Sequence, residues 1–174
     1  IGVRLVGSEM CIRDRSAAAC AVGLNKLYNL KLTDAELVEF AGIGEKASAG
    51  TIHYDNVAAS ALGGFVIVKT KPLHVVKIQP PNDLVLCVAV PELKVPAKKT
   101  KVSRGAIPKK VSLSDMVKNI SNASAIVAGF SEKNSELIGR SVQDVIVEPA
   151  RKHMIPGFDT VSYTHLRAHE TDSY

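Results

Sequence analysis

The sequence contains no tryptophan and only 5% aromatic residues, so a hydrophobic core has to be built from Val, Leu, Ile and Ala. Long apolar runs are absent as well. The longest one that is typical of structure extends from Leu84 to Val90, which is far too short to cross a bilayer. No N-terminal stretch is typical of a secretory signal peptide. We therefore predict no membrane segment and a cytoplasmic location.

Cysteine is scarce. Cys11, Cys20 and Cys87 match no spacing that is typical of a zinc site, a haem site or a disulfide framework. This usage is typical of a reducing compartment. Cys20 and Cys87 fall on the apolar faces of predicted elements, so we expect buried thiols rather than nucleophiles there.

The composition that remains is ordinary for a globular protein, with 46% hydrophobic and 22% charged residues in a chain of 174. That length suits one good domain or two small ones. The net charge of +5 is compatible with an anionic ligand, and it fits many solvated surfaces equally well.

The two ends mirror each other at the codon level. With suitable codons, the reverse complement of the DNA for residues 161–174 encodes residues 1–14, so that Ile1 pairs with Tyr174 and Asp14 pairs with Val161. Selection on protein structure gives no reason for such a mirror, whereas a DNA inverted repeat does, and the ends resemble a translated sequencing adapter. We predict that residues 1–15 and 161–174 are non-native and exclude them from the predicted fold.

Between the ends, helix and strand patterns alternate. An Ala-rich helix is predicted over Ser16–Tyr28, with small residues that allow a close neighbour. Thr33 and Glu36 form a capping box that begins a helix of about three turns, ended by Gly50. Three β-rich runs follow, namely Phe65–Thr70, His74–Ile78 and Leu84–Val90. The proline-containing segment 79–83 is the predicted domain junction.

The second half is mostly helical. Ser112 and Asp115 cap a helix, and a shorter helix is predicted over Ser135–Arg140. Asp144–Val147 is predicted to be extended and to end at Pro149. In the helix capped by Ser112, apolar residues repeat on one face: Met116, Ile120, Ala123 and Val127. The mixed order of elements predicts an α+β fold.

Three motifs resemble those of homoserine kinases in the GHMP superfamily. The first comprises Gly44-Glu-Lys46, His53-Tyr-Asp-Asn-Val-Ala58 and Gly63-Gly-Phe65, with Tyr54 and Ala59 where the family has Ala and Pro. The second is Thr100-x-x-x-Arg104-x-x-x-Pro108. The third joins Val147-Glu-Pro-Ala-Arg151 to Ile155-Pro-Gly-Phe158. Together they cover nearly all of residues 16–160.

The resemblance implies a truncated GHMP kinase fold. Residues 16–80 would be part of the N-terminal, ATP-binding α/β domain, and residues 81–160 part of the C-terminal, ferredoxin-like domain. It also implies an enzyme that transfers the γ-phosphoryl group of ATP to the hydroxyl of L-homoserine, in threonine biosynthesis, with Mg²⁺ as cofactor. No nucleic acid or membrane is an expected partner, and the intact parent is a possible homodimer.

Site residues follow from the same motifs. The resemblance implies that Glu45 is the magnesium-side carboxylate; without it, pairing with Lys46 is the simpler interpretation. Asn56 would orient the acceptor hydroxyl and Asp55 would act as a general base, the alternative being an Asx-type cap of a helix that starts at Val57. His53 is expected to be packed or hydrogen-bonded.

Two arginines complete the predicted site. Arg104 and Arg151 match the pair that grips the acceptor's carboxylate, a role that suits the planar guanidinium. From the residues alone, both are equally well explained as surface cations. Ser16 is interpreted as the remnant of a glycine-rich phosphate loop.

The 174 residues contain neither that loop nor the family's second glycine-rich loop, so we expect this polypeptide to be inactive although its parent is active. One alternative is another GHMP kinase, of the mevalonate or shikimate type. A basic nucleic-acid-binding module built on the run from Lys94 to Lys110 is a further alternative, although that run has no aromatic residue for base stacking.

Overall fold

The computed structural model describes residues 10–86 and 99–162. The chain divides into two compact units, Ile1–Pro80 and Pro81–Tyr174. This division falls inside the segment 79–83, where the sequence predicts a junction. The described residues combine helices with a small antiparallel sheet, which confirms the α+β prediction.

In its described residues, the first unit has helices followed by a hairpin: α1 (Met10–Leu27), α2 (Asp34–Ala49), α3 (Tyr54–Leu62), β1 (Phe65–Thr70) and β2 (Leu73–Ile78). The strands pair antiparallel, with Phe65 opposite Ile78 and Thr70 opposite Leu73. Both strands were predicted from their β-branched residues, and β2 begins one residue earlier than expected.

Helix α2 has the ends that the sequence predicts. The Thr33 hydroxyl accepts a hydrogen bond from the Glu36 backbone N–H at 3.3 Å, and the Glu36 carboxylate accepts one from the Thr33 N–H at 2.8 Å. Gly50 ends the helix with a φ of 76°, a left-handed conformation that glycine adopts without strain. At 16 residues, α2 is longer than the predicted three turns.

Helix α1 begins at Met10, well before the predicted start at Ser16. It packs on both α2 and α3. At the contact with α2, a Cβ built on Gly44 would lie 3.4 Å from the Ala17 Cβ, which confirms the close approach predicted from the small residues. The apolar core of this unit consists of Ala18, Leu37, Val38, Ala41, Val57 and Ala58.

The prediction of a buried Cys20 thiol is wrong, because Cys20 is exposed. It faces a cavity of about 840 Å³. Helix α1 turns Ala18, two residues earlier, into the core. Helical residues two positions apart lie about 200° apart around the axis, so Cys20 is on the opposite side of the helix. Cys87 lies outside the described residues. The cavity is lined by Ser16, Ala17, Cys20, Ala21, Leu24, Leu30, Leu32, Phe40 and Gly44.

The second unit is helical where it is described. It contains α4 (Lys99–Gly105), α5 (Leu113–Glu132), α6 (Ser135–Ser141), α7 (Val147–Arg151), a 3-10 turn (Lys152–Met154) and α8 (Phe158–Ser162). Helices α5 and α6 form a hairpin in which Phe130 and Ile138 are buried. The Ser112 hydroxyl caps α5 by accepting from the Asp115 N–H at 3.0 Å. This cap and the helix at 135–141 confirm the predictions.

Two predictions in this unit are wrong. Asp144–Val147 is not extended, because residues 145 and 146 form a turn and Val147 begins α7, which contains Pro149. Leu84–Leu86 is not a strand, and the rest of that predicted strand lies outside the described residues. On the predicted apolar face of α5, Met116 and Ile120 remain 42% and 57% exposed, since no described element of this unit covers them.

Gly42 allows the segment after α2 to fold back onto that helix. A Cβ at this position would lie 2.9 Å from both Ile52 Cγ2 and Tyr54 Cε1. We expect Gly42→Ala to lower the free energy of unfolding by about 1–3 kcal/mol, because both side chains have to move. Urea unfolding followed by circular dichroism measures this change.

Gly23 provides the matched control, because a Cβ there meets nothing within 4 Å. Gly23→Ala in α1 is expected to stabilise the chain by up to about 1 kcal/mol through helix propensity. A Gly42→Ala variant as stable as Gly23→Ala would contradict the close packing of Ile52 and Tyr54 on α2.

Candidate active site

Glu45 lies in the last turns of α2, one turn after Gly42, and is fully buried, with 0% of its surface exposed. Both of its oxygens are bound by His53. The His53 backbone N–H donates to Oε2 at 2.8 Å, and the ring Nδ1 lies 2.7 Å from Oε1. The expectation of a hydrogen-bonded His53 is therefore confirmed.

Asp14 is the second carboxyl group of this cluster. It is 1% exposed, and its Oδ2 accepts a hydrogen bond from Asn56 Nδ2 at 3.0 Å. Its Oδ1 is buried and has no donor among the described residues. Asp14 also interacts directly with Glu45, so the first unit brings Glu45 and Asn56 together around one carboxyl group.

The two carboxyl groups have opposite pKa shifts. Burial raises the pKa of Asp14, and its hydrogen bond to Glu45 and the Glu45 charge raise it further. Burial also acts to raise the pKa of Glu45, but hydrogen bonds from the His53 backbone, the His53 ring and Asp14 outweigh it, so that pKa is lowered. The cluster therefore favours the charged form of Glu45 and disfavours the charged form of Asp14.

Asn56 does not start a helix. Helix α3 begins at Tyr54, with His53 before it and no side-chain cap. Asn56 is the third residue of this helix, and its amide reaches α1 through Asp14. The alternative of an Asx-type cap at Asn56 is therefore wrong. Asp55 is exposed in the first turn of α3.

The two predicted arginines come from neighbouring segments of the second unit. Arg151, at the end of α7, donates through Nε to the Ser103 carbonyl at 3.0 Å. Ser103 directly precedes Arg104 in α4. A guanidinium has five N–H donors, so this bond fixes Arg151 and still leaves donors for an anion.

Asp144 sets the start of α7 and therefore the position of Arg151. Its Oδ1 accepts from the Ile146 N–H at 2.9 Å, the Val147 N–H at 2.8 Å and Asn119 Nδ2 at 2.8 Å. Burial raises the pKa of Asp144, but these hydrogen bonds and the Arg151 charge outweigh it, so the pKa is lowered. Segment 143–147 is thereby attached to α5.

The structure thus brings Glu45 and Asn56 together in the first unit, and it connects Arg151 to the segment of Arg104 in the second. Ser16 is exposed on α1. Sequence reasoning missed Asp14, because it lies in the segment that was excluded as non-native. It also missed Asp144, which was assigned to an extended segment. A signal for Asp144 was present, since Asp side chains readily accept hydrogen bonds from backbone N–H groups a few residues further on.

Within residues 10–86 and 99–162, no three His, Cys, Asp or Glu side chains come together as a metal-binding group. No helix in the same ranges is long and apolar enough to cross a membrane.

We expect Asp14→Asn to raise the free energy of unfolding by about 1 kcal/mol, the net value of one hydrogen bond. The asparagine still accepts from Asn56, and its neutral amide can donate to Glu45 without a second charge. Urea unfolding at neutral pH measures the change. Asp55→Asn is the control, because Asp55 is exposed, and it should change stability by less than about 0.5 kcal/mol. A lower free energy of unfolding in Asp14→Asn would contradict the raised pKa of Asp14.

Asp144→Ala should lower the free energy of unfolding by about 1–3 kcal/mol, because it leaves part-buried donors without their acceptor. Asp144→Asn keeps the Oδ1 acceptor. Because the pKa of Asp144 is lowered by folding, its carboxylate contributes stability above about pH 4. That contribution is lost as the pH falls through the lowered pKa that Asp144 has in the folded state. The stability difference between wild type and Asp144→Asn should therefore narrow below about pH 4. A difference that stays constant down to acid pH would contradict this role.

Residues 15–64 match the family described as GHMP kinases N terminal domain. The chain is 39% identical over 154 residues to a homoserine kinase of Pyrobaculum islandicum, which covers 88% of this chain and 51% of the relative. It is 38% identical over 157 residues to a homoserine kinase of Methanococcus maripaludis, covering 89% and 50%. The chain therefore spans about half the length of the curated relatives it matches.

The structure is similar to the crystal structure of homoserine kinase from Cytophaga hutchinsonii. The TM-score is 0.66 at 40% sequence identity, over 84% of this chain and 47% of the other. Neither a mevalonate- or shikimate-type kinase nor a nucleic-acid-binding module is favoured by these matches. The chain is therefore similar in sequence to homoserine kinases over about half of their length, and its fold is similar to part of a homoserine kinase structure.

Proposed function

We propose that the protein to which this chain belongs is a homoserine kinase, which transfers the γ-phosphoryl group of ATP to the hydroxyl of L-homoserine. The observation that carries this proposal is the clustering of Glu45 and Asn56 in a chain that is 39% identical to a homoserine kinase. In this reaction, the acceptor oxygen forms a new bond to phosphorus, the bond between phosphorus and the ADP oxygen breaks, and the hydroxyl proton leaves.

Mg²⁺ is the metal that this activity implies, and the chemistry of the cluster fits it. Mg²⁺ is held by one or two carboxylates together with phosphate oxygens and water. The lowered pKa of Glu45 favours its charged form, and the neighbouring Asp14 has a buried Oδ1 with no donor among the described residues. Glu45 would hold the metal. When bound, the metal would neutralise charge on the transferred group.

The acceptor hydroxyl is assigned to Asn56 and Asp55. The Asn56 side-chain nitrogen donates a hydrogen bond to Asp14. Its side-chain oxygen is an acceptor that can orient a hydroxyl. Asp55 is the next residue, in the first turn of α3 and exposed. Its carboxylate would accept the hydroxyl proton as a general base.

The acceptor's carboxylate is assigned to Arg104 and Arg151. The hydrogen bond from Arg151 to the Ser103 carbonyl supports this pairing, because it ties α7 to the turn of α4 that carries Arg104. Two guanidinium groups from adjacent segments suit an α-amino acid, since each can make charge-assisted bonds to a carboxylate.

We also propose that residues 16–80 and 81–160 correspond to parts of the two halves of a GHMP kinase. The division at Pro80 and the family match over residues 15–64 support this assignment. Ser16, at the exposed N-terminal side of the match, would belong to the phosphate-binding segment. The non-native origin of residues 1–15 and 161–174 and a dimer of the intact protein stay predictions.

A segment exchange tests the proposal. Residues 16–160 replace the matching segment of the Pyrobaculum islandicum homoserine kinase, whose own flanks supply the other half of the length. We expect this chimera to form O-phosphohomoserine from ATP and L-homoserine, measured by ³¹P NMR. Purified 1–174 alone should form none.

Variants of the chimera assign the roles. Glu45→Gln should lower kcat/KM by about 100-fold or more, as loss of transition-state charge stabilisation does. Arg151→Lys should mainly raise KM for L-homoserine, because lysine cannot bind a carboxylate with two parallel bonds. Arg140→Ala is the control, since Arg140 forms only an exposed pair with Glu136. A cooperatively folding chimera that phosphorylates no homoserine would overturn the proposed function.

A further inference from the structure

The segment between α2 and α3 approaches α2 very closely. Gly42 has no side chain, and Ile52 and Tyr54 occupy the space where a Cβ would be. His53 lies between these two residues, so its position relative to α2 is fixed on both sides. This packing brings His53 to the turn of α2 that carries Glu45.

His53 holds both oxygens of Glu45 by different groups. The backbone N–H binds Oε2 at 2.8 Å, and the ring Nδ1 approaches Oε1 to 2.7 Å. The Glu45 side chain is 0% exposed and that of His53 is 19% exposed. A carboxylate with one hydrogen bond can rotate about its last side-chain torsion, whereas bonds to both oxygens fix the plane of the group.

The chemistry of the pair determines which nitrogen carries the proton. An ionised carboxylate only accepts hydrogen bonds, so the short Nδ1 contact requires a proton on Nδ1. Asp14 also interacts with Glu45, and the Asn56 side chain donates to Asp14. Without the His53 ring, Glu45 would lose the contact to Oε1 while the backbone N–H still bound Oε2.

We propose that His53 is a positioning residue for Glu45, fixing its carboxylate for a divalent cation by the paired backbone and ring contacts. This inference rests on the proposed function, since it takes Glu45 as the magnesium-side ligand. Groups that hydrogen bond to a metal-ligating carboxylate orient it, and their loss typically costs 10–100-fold in metal affinity.

The first experiment observes the contact itself. In the full 174-residue chain with ¹⁵N-labelled histidine, we expect a slowly exchanging ring proton on Nδ1 of His53. Glu45→Gln should shift or remove this signal. His74→Asn should leave it unchanged, because His74 is an exposed residue of β2.

The second experiment measures Mn²⁺ binding to the same chain by water-proton relaxation, with Mn²⁺ alone as the probe. His53→Phe keeps a ring and the backbone donor but loses Nδ1, and it should weaken Mn²⁺ binding about 10–100-fold. His53→Asn offers an amide N–H near the position of Nδ1 and should restore most of the affinity. Thermal unfolding confirms that both variants fold, and His74→Asn is again the matched control.

The outcomes separate the two proposals. If Glu45→Gln abolishes Mn²⁺ binding while His53→Phe binds as tightly as wild type, the positioning role is wrong and the metal assignment stands. If wild type and Glu45→Gln bind equally poorly while the Nδ1 proton is present, His53 holds a purely structural carboxylate. That result overturns both the positioning role and the assignment of Glu45 to the metal.

Discussion

The arrangement of the first unit depends on keeping one buried carboxylate charged. Glu45 is enclosed by three helices, where an isolated charge is strongly unfavourable. His53 contacts both oxygens, and the raised pKa of Asp14 disfavours a second charge beside Glu45. Glu45 is therefore stabilised by groups from two other segments, α1 and the residue before α3, and it connects both of them to α2.

The same principle operates in the second unit with a single acceptor atom. Oδ1 of Asp144 accepts from two backbone N–H groups and one amide, which connects the start of α7 to α5. Arg151 at the other end of α7 binds back to the Ser103 carbonyl. In the first unit the carboxylate with several partners is itself assigned to the reaction by the resemblance, and in the second it fixes the helix that carries such a residue.

Local chemistry in the sequence was sufficient to predict much of the fold. Thr33 with Glu36 and Ser112 with Asp115 gave correct helix starts, because caps depend only on residues a few positions apart. The β1–β2 hairpin followed from its β-branched runs. Asp14 was not predictable in this way, since its burial depends on contacts with residues more than 30 positions away. Asp144 was missed because its three hydrogen bonds override a strand-like local pattern.

Helix α1 runs without interruption from Met10 to Leu27 and carries Asp14 and Ala18 on one stripe. An α-helix turns by about 100° per residue, so inserting or deleting one residue between them would rotate Asp14 out of the cluster. The number of residues between Asp14 and Ala18 is therefore fixed by the packing of α1. Any natural or engineered sequence joined to this helix has to keep the same number of residues before Ala18, whatever side chain it places at position 14.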